Sequence, residues 1–252
     1  MTTLRLLSYN VRSLRDDADA LVRVIRAAEP DVVCVQEAPR LLRWRSNCAA
    51  LARRSGLVVV TGGRPAAGNL IMSTLGVQVL ASGTYRLSRD PGRHQRGVAV
   101  ALLAIAGIPF VVAGTHLDLA EPARVRHVGE LHTALTAFLR AHADEGVGLH
   151  LSNQAGDHVG DQNAGPASVI AADVNDQPGS DPWSALATER SDVFGAVGIG
   201  DGFTYPAVQP QRRIDAVFAD PRLRPISARV LDTPGVRSAS DHRPLLVELG
   251  LD

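Results

Sequence analysis

The sequence predicts an α/β protein whose strands run in both senses, and three observations carry that reading. Residues 4–9 and 31–36 are strand-like runs separated by one amphipathic helix, a β-α-β unit that implies parallel strands and a right-handed crossover. Residues 57–60, 69–73, 77–83 and 98–105 follow one another through Gly and Pro turns without a helix between them, which requires antiparallel strands. The run 244–249, bounded by Pro234-Gly235 and Gly250, is too short for a helix and reads as a late buried strand.

The elements follow in order. The first strand ends at Asn10. Residues 16–28 form a helix with Leu21, Val24 and Ile25 on one face, stopped by Pro30. The second strand ends at Glu37, so Asn10 and Glu37 share the rim at the carboxyl ends of two parallel strands. Residues 39–54 read as a second helix carrying Leu41, Leu42, Trp44 and Leu51. Residues 109–115 form a strand that delivers His116, with Asp118 just beyond. Residues 121–142 form the longest helix, and Val125, Val128, Leu131, Leu135 and Phe138 make its core-facing stripe. His127, His132 and His142 lack the i, i+4 spacing of a two-His metal clip, which leaves them solvated or capping roles. Residues 144–165 are Gly-rich and without periodicity, and a connection of that length is expected to be mobile. Residues 167–172 form a strand ending in Asp173-Val174-Asn175-Asp176, and Ser180-Asp181-Pro182 opens a helix with Trp183 and Leu186. Residues 213–219 form a strand broken early by Asp215, residues 224–231 form another, and Ser240-Asp241-His242 leads into the last.

With 252 residues, 45% of them apolar, the chain can bury a sizeable core as a single domain over residues 1–252. Twenty-six basic residues balance twenty-six acidic ones, so no global field attracts nucleic acid or membrane and any anion must be held locally. Two cysteines exclude a disulfide framework, and Cys34 reads as a small buried hydrophobe. No stretch approaches a membrane span, and residues 1–5 lack the apolar core of a signal peptide. A soluble cytoplasmic monomer without an obligate protein partner is expected.

Asn10, Glu37, His116, Asp173, Asn175, Asp215, Asp241 and His242 all fall at strand ends. Asp215 stands out, because a carboxylate inside the run Ile214-Asp215-Ala216-Val217-Phe218 is costly unless paired. An oxygen-rich set selects a hard cation, Mg2+ or Mn2+, over zinc. Converging carboxylates with two histidines suit displacement at phosphorus, with charge neutralised by metal and water deprotonated by a His.

Six stretches, Ser8-Tyr9-Asn10-Val11, Val35-Gln36-Glu37, Gly114-Thr115-His116-Leu117-Asp118, Ala172-Asp173-Val174-Asn175, Arg213-Ile214-Asp215 and Ser240-Asp241-His242, resemble in their order the endonuclease/exonuclease/phosphatase superfamily. Gly68-Asn69-Leu70-Ile71-Met72-Ser73 and Arg96-Gly97-Val98 look like further family stretches. The resemblance implies a four-layer α/β sandwich, two packed mixed sheets flanked by helices. It also implies a Mg2+-dependent phosphoesterase, with Mn2+ as a possible substitute, that hydrolyses phosphodiesters in the manner of a nuclease. Glu37 would be the principal metal ligand, with Asn10 and Asp241 close to the metal. Asp173 and Asn175 would orient the water and the phosphate. His242 would be the general base, oriented by Asp215. His116 and Arg96 would contact the phosphate, with His116 as an acid to the leaving group.

The chain departs from the family in two places. Residues 61–100 contain no Glu, where nuclease-like members carry one that supports the first His, and position 12 is Arg where abasic-site endonucleases have Asp. The resemblance also admits a phosphomonoesterase or sphingomyelinase-like phospholipase acting on inositol, sugar or lipid phosphates, and a non-catalytic binding module. The substrate it implies is a phosphate ester, either nucleic acid or a small phosphodiester. Arg12, Arg89, Arg93, Arg96, Arg212 and Arg213 supply charge for one or two phosphates, and aromatic residues are 4% of the chain. Small or flexible esters are therefore expected to be turned over better than long duplex DNA.

Overall fold

The computed structural model describes residues 1–142 and 165–251; the expected mobile connection at 144–165 lies, but for Gly165, outside the described residues. The first sheet contains β1 (Thr3–Asn10), β2 (Val32–Gln36), β3 (Val58–Gly63), β4 (Asn69–Ser73), β11 (Arg224–Val230) and β12 (Leu245–Gly250), in the order β11-β12-β1-β2-β4-β3. The second contains β5 (Gln78–Arg86), β6 (Gly97–Ile105), β7 (Ile108–His116), β8 (Ala167–Asp173), β9 (Ser191–Asp192) and β10 (Asp215–Ala219), in the order β5-β6-β7-β8-β10-β9. Within each sheet one pair is parallel, β1 with β2 and β7 with β8, and the other pairings are antiparallel.

Three apolar layers hold the four structural layers together. Alternate residues of both sheets, among them Leu4, Leu6, Cys34, Val112, Ala171, Val217 and Val247, interdigitate between the sheets. The opposite face of the first sheet, including Leu7, Tyr9 and Val33, packs on α1 (Ala18–Ala28), α2 (Trp44–Arg54) and α6 (Val236–Ala239). The opposite face of the second, including Val100, Val111 and Phe218, packs on α3 (Glu121–Ala141) and α4 (Asp181–Ala187). The expected α/β sandwich of two mixed sheets flanked by helices is the fold observed.

Helix ends follow their local chemistry. Asp17 caps α1, its Oδ1 accepting from the Asp19 and Ala20 amides at 3.0 and 2.9 Å. The second helix starts later than the periodicity suggests. Arg43 sits at φ 58° before Trp44, a left-handed conformation that an α-helix cannot include. Residues 39–43 are therefore a loop, and Leu41 and Leu42 are 80% and 89% exposed rather than core-facing. On α3 the stripe of Val128, Leu131, Leu135 and Phe138 is buried as expected, whereas Val125 faces outward. His127 is buried, with Nε2 2.9 Å from the Ser88 carbonyl, so it is not solvated. Ser180 precedes α4 but hydrogen-bonds the Gln177 carbonyl instead of capping. The short α5 (Val193–Val197), α6 and β9 carry no periodicity that a sequence reading could use.

Candidate active site

Register builds the centre of the site. His116 pairs with Asp173 across β7 and β8, and Asp173 pairs with Asp215 across β8 and β10. Cross-ladder partners point to one face, so these three side chains form a row at the rim, on the face turned toward the first sheet. Asn10, the last residue of β1, faces them from that sheet, and its Nδ2 donates to Asp173 Oδ2 at 2.9 Å.

Asp173 and Asp215 are each about 1% exposed. Buried charge needs partners, and both carboxylates have them. His242 Nδ1 lies 2.8 Å from Asp215 Oδ2, and its Nε2 lies 3.9 Å from Asp173 Oδ2. Burial works against a charge on His242, but Asp215, Asp173 and Asp241 outweigh it and raise its pKa to about 10. His116 goes the other way. Burial, with Arg96, His242 and Arg40 nearby, pushes it down to about 3 despite Asp173. A ring held neutral can still hydrogen-bond a phosphate oxygen.

Asp173 also shapes the turn that follows it. Its Oδ1 accepts the Asn175 amide at 3.1 Å, an Asx turn, and Asn175 sits at φ 55°, a conformation that Asn tolerates well. The Asn175 Nδ2 then donates to the Leu117 carbonyl at 3.0 Å and meets His116 Nε2 at 2.8 Å. Glu37 is likewise left-handed, at φ 53°. It is held by the Ser13 amide on its carbonyl (2.8 Å) and by the Ala38 amide on Gly68 O (2.8 Å). Its side chain is 40% exposed, with Oε1 3.4 Å from Asn10 Nδ2 and 3.9 Å from His116 Nδ1. Asp241 joins the rim through Ser240, whose hydroxyl donates to the Asn10 carbonyl at 2.7 Å, and its Oδ2 lies 3.4 Å from Arg12 Nε.

A divalent cation is consistent with this donor set. Ligand atoms of Asp173, Asp215 and His242 lie within 4.8 Å of one another, and the buried Oδ1 of Asp215 has no hydrogen-bond partner. In that trio the 2.8 Å His–Asp bond engages Nδ1 of the imidazole and leaves Nε2 free. The Glu37 carboxylate, in contrast, faces solvent at the same rim.

The arginines divide sharply. Arg96 is buried, its Nε lacks a hydrogen-bond partner, and Asp173, Asp118 and Glu37 are its acidic neighbours. Arg213 is pinned instead by Asp192 and stacked between Trp183 and Phe194, so it is not available to a substrate. Arg12 is engaged by Asp16 and Asp241. Two residues that face the site were absent from the sequence reading. Arg40, on the loop after Glu37, has its Nη1 3.4 Å from the Ala67 and Gln95 carbonyls; Pro39, which a first helical turn tolerates, gives no local sign that the helix begins later. Tyr205 packs against His242 at 4.9 Å with the rings tilted by 54°, and carries Arg212 over its ring at 4.8 Å; nothing local in the sequence marks it.

Two packed sheets with carboxylates and imidazoles gathered at one rim define a hydrolytic α/β sandwich. The chain belongs to the endonuclease/exonuclease/phosphatase family, whose model matches residues 7–242. Members are phosphoric ester hydrolases and usually use a divalent metal. Among solved structures, it is similar to an endonuclease/exonuclease/phosphatase from Bacteroides vulgatus (19% identity, all of both chains, TM-score 0.75). It is also similar to a mannosyl-6-phosphatase from Bacteroides thetaiotaomicron (16% identity, 98% of this chain and 99% of that one, TM-score 0.73). A third is D. rerio TDP2 complexed with single strand DNA product (17% identity, 99% of this chain and all of that one, TM-score 0.69). No curated protein matches the sequence. No helix among the described residues is long and apolar enough to cross a membrane.

Proposed function

We propose that the protein is a Mg2+-dependent phosphodiesterase, nuclease-like in its chemistry, and that Mn2+ can substitute. The observation that carries this reading is the 2.8 Å pair of His242 and Asp215 beside buried Asp173, with the Glu37 carboxylate open to solvent at the same rim. Glu37 would hold the cation, with Asp241 close by and Asn10 fixing Glu37 against Asp173 through its amide. A bound divalent cation would supply charge neutralisation on the phosphoryl oxygens. His242 Nε2 then accepts a proton from the attacking water, while Asp215 fixes the ring at Nδ1 and stabilises the charge it gains. Asp173 and Asn175 orient the water and the phosphate. Neutral His116 donates a hydrogen bond to a phosphoryl oxygen, and Arg96 and Arg40 add charge on that side.

A phosphomonoesterase is the second reading, favoured by the similarity to a mannosyl-6-phosphatase and by the closeness of Arg40 and Arg96. A hydrolysis panel of bis-p-nitrophenyl phosphate, p-nitrophenyl phosphate, oligonucleotides, sphingomyelin and inositol phosphates, with Mg2+ and with EDTA, separates the readings. Cation-dependent hydrolysis of the diesters is expected. Turnover that survives metal stripping would overturn the mechanism, and hydrolysis confined to monoesters would overturn the substrate class.

A further inference from the structure

The charge of this chain is balanced only in sum. From Ala38 to Arg89 there are eight arginines and no Asp, Glu or Lys. The fold collects this stretch at one edge. It supplies α2, β3, β4 and β5, and β3 and β5 are the terminal strands of the two sheets, packed against each other. At that edge Trp44, Arg45, Arg64, Pro65, Thr84 and Arg86 line a cleft of about 410 Å³. Among the described residues, Arg45, Arg64 and Arg86 have no ion-pair partner. Three guanidiniums gathered without a counter-charge repel one another, and an anion between them removes that cost.

The cleft is built rather than incidental. The Arg45 guanidinium lies over the Trp44 ring at 4.6 Å. The ring itself sits where a side chain at Gly63 would have to be, since a Cβ there would come within 2.4 Å of it. Arg64 opens the turn Arg64–Ala66, and Asn69 Nδ2 ties that turn to the strand beside Arg96 by donating to both Ala66 O and Gly97 O, at 2.9 and 2.8 Å. Arg86 ends β5 directly opposite Gly97. Arg40, braced on Ala67 and Gln95, stands on the same segment. A line of arginines thus leads from Arg96 through Arg40 to the cleft.

We propose that the Trp44–Arg45–Arg64–Arg86 cleft binds a substrate phosphate other than the one being cleaved, and so selects a short single-stranded oligonucleotide. This rests on the phosphodiesterase reading. Guanidinium groups grip phosphate oxygens in pairs, and a single strand can bend from rim to cleft where a duplex, stiff over about 150 base pairs, cannot. An anionic bilayer is the rival partner, since Leu41 and Leu42 are exposed nearby. A concave cleft with its charges on the wall suits a strand better than a flat surface.

The test compares wild type with the triple variant Arg45→Ala, Arg64→Ala, Arg86→Ala. Anisotropy of a fluorescein-labelled octanucleotide is titrated in EDTA, so that binding is read without turnover. The expected result is a Kd raised 10- to 100-fold in the variant, with a shallower salt dependence. Turnover of bis-p-nitrophenyl phosphate should stay within twofold. Equal oligonucleotide binding by both proteins, or none by wild type, overturns the proposal. Arginine-dependent binding to phosphatidylserine vesicles, with oligonucleotide binding unaltered, reassigns the edge to a membrane surface. If wild type binds the strand but hydrolyses no diester, the phosphodiesterase reading fails while the cleft stands.

Discussion

The two sheets carry the same local plan and use it differently. Each has one parallel pair with a helix in its connection, β1-α1-β2 and β7 through α3 to β8, and antiparallel strands flank each pair, β12 and β4 in one sheet, β6 and β10 in the other. In the second sheet the polar residues lie on the strands themselves, His116, Asp173 and Asp215 in one row, almost wholly buried. In the first sheet Glu37 lies beyond the strand end, in a left-handed turn and half open to water. Ladder positions fix side chains to within the stiffness of a sheet, whereas a loop position leaves room to adjust and admits solvent. On the proposed reading, proton handling centres on the buried row, which His242 joins from the loop before β12, and the cation sits at the open turn.

The largest expected effect comes from His242, which reaches the buried row from the loop before β12 and bonds Asp215 there. His242→Ala should lower turnover by about 10²–10⁴, the usual worth of a general base. It should also lower the melting temperature, because Asp215 and Asp173 would lose their buried counter-charge. Asp215→Asn should reduce turnover as well, by leaving the ring unoriented. Full activity in Asp215→Asn alongside a dead His242→Ala would separate the two residues and remove the relay.

The open side should behave in the opposite way. Glu37→Gln removes one negative charge from the rim without leaving a buried group unpaired, so the cation-free protein should melt no lower than wild type while losing most activity. Wild type should gain stability with Mg2+ by mass action, about 2.7 kcal/mol at a hundredfold excess over Kd, and the variant should lose that gain. A strongly destabilised Glu37→Gln in EDTA, or an unchanged Mg2+ shift, would mean that Glu37 is structural.

How much of this was legible follows from the same contrast. The β-α-β unit placed Asn10 and Glu37 on one rim, because parallel strands share their carboxyl ends, and the lone acid in an apolar strand signalled that Asp215 needed a partner. What the chain does not state locally is register and sheet-on-sheet contact. The pairing of Asp173 with Asp215 and the 2.9 Å bond from Asn10 across the sandwich depend on residues far apart in sequence. Arg40 was hidden for a different reason. The spacing of Leu41, Leu42 and Trp44 mimics a helix face, and only the left-handed Arg43 takes that loop out of the helix. The arginine edge was hidden by arithmetic, since a net charge of zero says nothing about where the acids are.

The smallest effect concerns the aspartates at the two helix entrances. Asp17 at the start of α1 holds two backbone amides and has Arg23 at 3.8 Å as its one ion-pair partner among the described residues. Asp118 before α3 is different. It accepts the Ala120 amide at 2.9 Å and lies 3.5 Å from Arg93 Nη1 and 4.0 Å from Arg96 Nε. Burial opposes its charge, but the Ala120 amide and the two guanidiniums outweigh it and hold its carboxyl below the usual range. A carboxyl depressed in the folded state binds its proton more readily when unfolded. The stability it contributes is therefore complete above the ordinary carboxylate pKa, near 3.9, and is lost as pH falls through the lower folded value. Asp118→Asn should cost on the order of 1 kcal/mol at pH 7, and the gap from wild type should close below about pH 4. Asp17→Asn, which keeps the cap, should cost less at either pH. Thermal melts of the three proteins from pH 7 to pH 3 decide it: an Asp118→Asn deficit that persists undiminished at pH 3 would mean that the side chain acts through its shape and hydrogen bond rather than its charge.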